Sequence, residues 1–140
     1  MSAPLYNTEI LRLAAQSARF ARLSAPQASV EKRSPVCGSR IIVDVVMDGN
    51  ARVSAVGGEV RACALGQASL AIMAAHVIGL NADQIDDARD ALGAFLNGGR
   101  DDPGAWPGLE IFTPARPHSA RHASIRLAFE AVADAARAAT

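Results

Sequence analysis

The sequence predicts an α+β fold: a three-stranded antiparallel sheet with helices packed on one face, forming a single domain over residues 1–140. Three observations predict it. Residues 40–62 hold a dense β-branched run broken by turn residues. A helical pattern precedes that run, and helical patterns fill almost everything after it. Strands grouped in one stretch, with helices outside it, give an antiparallel sheet covered by helices rather than an alternating parallel one.

The elements follow in order. Residues 8–20 read as the first helix, capped by Thr8, with Ile10, Leu11, Leu13, Ala14 and Ala18 tracing an apolar face. Residues 24–34, with Pro26 and many small or polar residues, read as a connecting loop. Residues 40–47 read as a strand through Ile41, Ile42, Val43, Val45 and Val46. Asp48-Gly49-Asn50 suits a hairpin turn. Residues 51–56 give the return strand, Gly57-Gly58 a second turn, and residues 59–62 a short third strand. Residues 64–78 are apolar on nearly every side, the pattern of a helix buried mid-domain, closed by Gly79. Asn81 opens the next helix, with Asp83 in its first turn and Ile85, Ala88, Leu92 and Phe95 on one face to about residue 96. Residues 97–108 form a Gly/Pro/Asp-rich loop carrying Trp106, residues 109–113 one short helical turn, and residues 121–138 the last helix.

Composition excludes several function classes. Fourteen basic residues balance 14 acidic ones, so no charge excess points to nucleic acid or a membrane surface. No apolar run reaches the ~18–20 residues that span a bilayer. The first residues lack the basic-then-apolar pattern of a secretory signal, and two cysteines are no disulfide framework, so the cytoplasm is the expected compartment. All basic residues but Lys32 are arginine, a coding bias rather than a functional signal. Gly57-Gly58 and Gly98-Gly99 lack the strand–loop–helix context of a phosphate loop, and no Ser/His/Asp arrangement marks a hydrolase.

The two cysteines are the candidate chemistry. Cys37 lies in Ser34-Pro35-Val36-Cys37-Gly38-Ser39-Arg40, where Pro35 stiffens the approach and Gly38 leaves room beside the thiol. Cys63 lies where a strand gives way to a helix, so the helix N-terminus should acidify its thiol. Thiolate is the form that binds iron or zinc and attacks sulfur. Each cysteine also reads as a small buried hydrophobe, and residue type leaves both readings open. No Cys-x-x-Cys spacing supports a redox disulfide. His76, in the most apolar helix, reads as a buried, hydrogen-bonded histidine. His118 and His122 fall in a stretch rich in metal- and anion-binding side chains, which reads equally as a solvated loop. Asp83, Asp86, Asp87 and Asp90 read as a solvated face.

Together these segments resemble the NifU N-terminal family of iron–sulfur cluster assembly scaffolds, the group that includes IscU and SufU proteins. Leu5-Tyr6-Asn7 before a helix is similar to the family's N-terminal opening. Ser34-Pro35-Val36-Cys37-Gly38-Ser39 resembles its Pro-x-Cys-Gly-Asp loop. Gly57-Gly58 through Ala62-Cys63-Ala64, then Gln67-Ala68-Ser69-Leu70-Ala71-Ile72-Met73, resembles its second cysteine segment. Residues 121–132 resemble the helix bearing its third cysteine. The resemblance covers nearly the whole chain and departs at two points. Ser39 stands where the family has aspartate, and Ser124 where it has the third cysteine.

The resemblance implies a scaffold-like protein, not an enzyme. It would hold a labile [2Fe–2S] cluster, or zinc, through Cys37 and Cys63, with Ser39 and Ser124 in the vacated ligand positions and His122 or His118 as replacement ligands. Its implied partners are a cysteine desulfurase and acceptor proteins, and a second copy of the chain could complete the coordination. Two alternatives stay open: a family member that binds no metal and acts on the desulfurase through protein contacts, and a carrier of persulfide sulfur.

Overall fold

The computed structural model describes residues 5–35 and 38–140. Its helices are α1 (Thr8–Gln16), α2 (Ala64–His76), α3 (Ala82–Leu96) and α4 (His122–Ala138). Its strands are β1 (Ala28–Arg33), β2 (Arg40–Met47) and β3 (Val53–Arg61), paired antiparallel in the order β1-β2-β3. Short 3-10 helices at Ser17–Arg19, Leu109–Ala115 and Ser119–Arg121 join the longer elements.

β2 is the central strand, and its alternation divides the molecule. Ile41, Val43, Val45 and Met47 point into the main core with Leu65, Leu70, Ile125, Phe129 and Val132. α4 packs on β1 and β2 at that face, and against α2 and α3 beyond them. Asp44, on the alternate face, is fully buried beneath the segment that follows the first 3-10 helix. It accepts from Arg22 Nε at 2.7 Å, Leu23 N at 3.0 Å and Ser29 Oγ at 2.6 Å.

The sheet has three strands, but two are not those read from the sequence. Residues 28–33 form β1 instead of part of a loop. Only Ala28, Val30 and the Lys32 stem turn inward, and the outward residues are Ser29, Glu31 and Arg33. An edge strand with one solvated face carries so few apolar residues that its alternation is faint. Lys32 fastens it to α4 through Asp134 at 2.6 Å.

Gly57-Gly58 makes no turn, and β3 runs straight through it. The glycines serve close approach. A Cβ on Gly57 would lie 2.3 Å from the Ala21 carbonyl oxygen, and one on Gly58 would lie 1.8 Å from that of Ile42. Gly58 N donates to Ala21 O at 2.9 Å, so the covering segment lies directly on the strand.

Other boundaries shift for local reasons. Asn7, not Thr8, caps α1, accepting from Ile10 N at 2.9 Å. The predicted turn at residues 48–50 forms, with Asp48 Oδ1 accepting from Asn50 N and Arg52 N. α2 stops at His76, with Gly79 beyond it at φ +89°. Asn81 and Gln84 complete a capping box at the start of α3. The α3 aspartates are more than a solvated face: Asp83 and Asp86 hold Arg137 of α4, and Asp86 and Asp90 hold Arg89.

Candidate functional site

The N-terminal ends of α2 and α4 meet, and Cys63 stands at the meeting point. Cys63 is the N-cap residue of α2, in extended conformation, as the chain leaves β3. Two contacts pin the helices together. Ser69 Oγ donates to Ile125 O at 2.6 Å. Gly66 lies so close to α4 that a Cβ there would fall 2.6 Å from Ser124 Oγ. Ser124, in the first turn of α4, is thereby aimed at the start of α2.

Three of the residues singled out in sequence converge here. Cys63 Sγ lies 3.3 Å from Ser124 Oγ, and Ser124 Oγ lies 3.3 Å from Ser39 Oγ. Both serines are buried, at 3% exposure for Ser39 and 1% for Ser124, whereas Cys63 is only half-buried. Ser39 is positioned by a closed turn: Ser34 N donates to Ser39 O at 2.8 Å and Gly38 N to Ser34 O at 3.0 Å. Gly38 adopts φ +71° with open space where a Cβ would stand, so it serves the turn's backbone conformation. Cys37 lies between these residues in sequence but outside the described residues.

Burial pushes the Cys63 thiol up. The Ser124 hydroxyl, the backbone N–H groups of Gly66 and Leu65, and the Arg121 charge outweigh that and leave it below the ordinary thiol value. The helix N-terminus therefore acts as the sequence predicted, supplying N–H groups to sulfur. The Tyr6 hydroxyl joins the same cluster through a hydrogen bond with Cys63. Burial and then the thiolate charge raise its pKa, while Arg121 opposes them.

The histidines stand differently. His122 Nε2 donates to Ala115 O at 2.9 Å, which fixes the ring and leaves Nδ1 as the nitrogen that could serve as a ligand. His118 is exposed, ahead of the last 3-10 helix. Among the described residues no group of three or more His, Cys, Asp and Glu side chains could hold a metal ion. Among the described residues, the groups gathered at Cys63 are its thiol, two serine hydroxyls and a phenol, beside the Arg121 cation. His76 is not the buried, bonded histidine expected. It is exposed on the last turn of α2 and makes no hydrogen bond among the described residues.

Sequence reasoning missed three members of the polar architecture. Arg121 lies three residues before Ser124, about one helical turn, and that spacing was a readable signal. Asp44 was a lone acid inside an apolar strand, a sign of a buried, compensated charge. Tyr6 is brought to Cys63 only by the fold, across 57 positions.

No family model and no curated protein matches this chain. Solved structures do. A nitrogen-fixing NifU-like protein (N-terminal) from Brucella abortus is 40% identical, with 96% of this chain and 93% of that one covered and a TM-score of 0.89. A SUF-system protein from Fervidobacterium islandicum AW-1, described as an iron–sulfur cluster assembly scaffold, shares the fold at 18% identity, 94% and 96% coverage and a TM-score of 0.82. A hypothetical protein shares it at 20% identity, 94% and 99% coverage and a TM-score of 0.77. With that identity over almost the full length of both chains, this chain belongs to the NifU N-terminal family.

Proposed function

We propose that this protein is a scaffold-like carrier in iron–sulfur cluster assembly, with Cys63 and Cys37 as thiolate attachment points for a labile [2Fe–2S] cluster or zinc ion. The observation that carries this reading is the acidified, half-buried Cys63 thiol at the junction of α2 and α4. A thiol whose pKa is lowered and whose sulfur is reachable from solvent suits metal or sulfide capture. Ser39 and Ser124 supply O–H groups, not strong ligands, because a serine hydroxyl stays protonated near neutral pH. Hydrogen bonds from them would steady the sulfur without adding charge. A cluster held by two thiolates of one chain is loosely held, which suits a cargo that must be released. A cysteine desulfurase would supply sulfur, acceptor proteins would receive the product, a second copy could complete the coordination, and the compartment would be the cytoplasm.

A specific feature favours the alternative of a family member without stable metal. The described surroundings of Cys63 are hydroxyls, backbone N–H groups and the Arg121 cation, a set suited to an anionic sulfur rather than a dication. In that case Cys63 either marks a contact surface for the desulfurase or carries sulfur. As a carrier, the Cys63 thiolate attacks the outer sulfur of a donor persulfide. A new S–S bond forms, the donor S–S bond breaks, and the donor cysteine leaves as thiolate.

Anaerobic reconstitution with iron and sulfide separates the readings. The scaffold predicts a visible chromophore and bound iron, both lost in Cys63→Ala. A colourless, iron-free product would overturn the iron–sulfur scaffold reading. Mass spectrometry after incubation with a desulfurase and cysteine would then show a single added sulfur on Cys63 if it carries persulfide, and none if the protein acts through contacts alone.

A further inference from the structure

At the far end of α2, roughly 20 Å along the helix from Cys63, lies a cleft of about 520 Å³ between α2, α3 and the loop carrying Trp106. Its volume is that of a small-molecule pocket. The walls are rigid. Trp106 is 5% exposed, donates from Nε1 to Ile72 O at 3.1 Å and meets Phe129 edge-on at 5.0 Å. Arg116 bonds Phe95 O and Arg100 O, each at 2.8 Å, with its guanidinium 4.6 Å above the Phe95 ring. Asp102 caps Gly104 N at 2.9 Å. Gly104, at φ +94°, lets the loop close on α3, since a Cβ there would lie 2.8 Å from that of Ala91.

Into this preformed, largely apolar space come three titratable side chains from three elements: His76 from α2, Asp87 from α3 and Arg100 from the loop. His76 and Asp87 make no hydrogen bond or ion pair among the described residues. Arg100 holds Asp102 through Nη2 at 2.9 Å, and its Nε has no partner among the described residues. Unlike charges held apart on one concave surface, without pairing to each other, suit a ligand that brings its own charges of both signs.

We propose that this cleft binds a small aromatic molecule bearing both a cationic and an anionic group, the chemistry of an aromatic amino acid. The ring lies against Trp106 and the apolar floor of Leu80 and Ala88, the cation faces Asp87, and the anion faces Arg100 with His76 beside it. The site is independent of Cys63 and of the sulfur chemistry proposed for it.

Trp106 is the only tryptophan of the chain, so its emission reports this cleft. The probe is L-kynurenine, an aromatic amino acid whose absorption overlaps indole emission, titrated into the full chain. The expected result is saturable quenching. Asp87→Asn and Arg100→Gln should each weaken it about tenfold, the effect of losing one charged hydrogen bond, and Ala88→Phe should remove it by filling the floor. None of the three should alter Cys63 alkylation. Benzoate and phenethylamine, each with one charge, should bind at least tenfold more weakly. Quenching that never saturates, or that is equal in wild type and both charge variants, overturns the proposal. So does a singly charged probe binding as tightly as kynurenine. The charge variants decide the matter even if Ala88→Phe fails to fold.

Discussion

Asp44 and Cys63 are both polar groups set into apolar surroundings, and they are finished in opposite ways. Asp44 is fully buried, and its two oxygens accept three short hydrogen bonds, one from a guanidinium. No part of it is open to a ligand. Cys63 is half open, and its sulfur meets the Ser124 hydroxyl at 3.3 Å, an ordinary hydrogen-bond distance for sulfur. Its sulfur is surrounded by donors but not saturated by them. A buried charge that is completely satisfied tells of structure, while a reactive atom poised but incompletely bonded tells of a site.

The largest effect expected from breaking that contrast is at Asp44. Asp44→Ala strips the partner from Ser29 and Leu23 N and loosens the segment over the sheet. Arg22 stays partly exposed, which limits the loss to about 2–3 kcal/mol, read by urea unfolding. Burial opposes ionisation of Asp44, but the Arg22, Ser29 and Leu23 bonds win and hold its carboxyl below the usual range. Its contribution is therefore complete above the unfolded value, near 3.9, and is lost as pH falls through the lower folded value. Asp44→Asn should flatten the acid limb of the stability curve. An unchanged acid limb would mean that the carboxylate's charge contributes nothing to folding.

Gly66→Ala should come next, because it strikes the site's geometry through packing. The added methyl would fall 2.6 Å from Ser124 Oγ and 2.7 Å from the Ala62 Cβ. Relief requires α2 and α4 to part, at about 1–3 kcal/mol. The same displacement draws Ser124 away from Cys63, so thermal stability and thiol alkylation rate should change together. A variant with wild-type stability and reactivity would show that the helix contact does not set the thiol's surroundings.

The contrast also explains what the sequence could reveal. Helices α3 and α4 were legible because their apolar residues recur at the helical period, and α2 and strand β2 because each is a nearly continuous apolar run of the length its element needs. β1 was not, since an edge strand with Ser29, Glu31 and Arg33 outward resembles a polar loop. Gly57-Gly58 resembled a turn because local propensity cannot register that another backbone passes over it. At the candidate site, Ser39 and Ser124 were singled out by resemblance to a family pattern and Cys63 by its place before a helix, and the fold brings the three together. Tyr6 and the bonded ring of His122 depend on tertiary approach. The apolar setting of α2 suggested a buried His76, but the residue falls on the helix's exposed last turn, where that setting no longer governs.

The smallest effects separate the two hydroxyls at Cys63. Ser124 contributes the largest share of the lowering of the thiol's pKa, and it is buried where water cannot replace it. Tyr6 is 40% exposed, so water can take the place of its hydroxyl. In metal-free protein, Ser124→Ala should move the midpoint of iodoacetamide alkylation to higher pH and slow the reaction near pH 7 about threefold to tenfold. Tyr6→Phe should move it in the same direction by less than twofold in rate. Global stability should change by under about 1 kcal/mol in Tyr6→Phe, which removes one exposed hydrogen bond, and by about 1–2 kcal/mol in Ser124→Ala, which removes two buried ones. If Tyr6→Phe exceeds Ser124→Ala, the phenol rather than the buried serine tunes the thiolate. The N-terminal segment before α1 would then belong to the reactive site, and the division between saturated interior and open thiol would have to be redrawn around it.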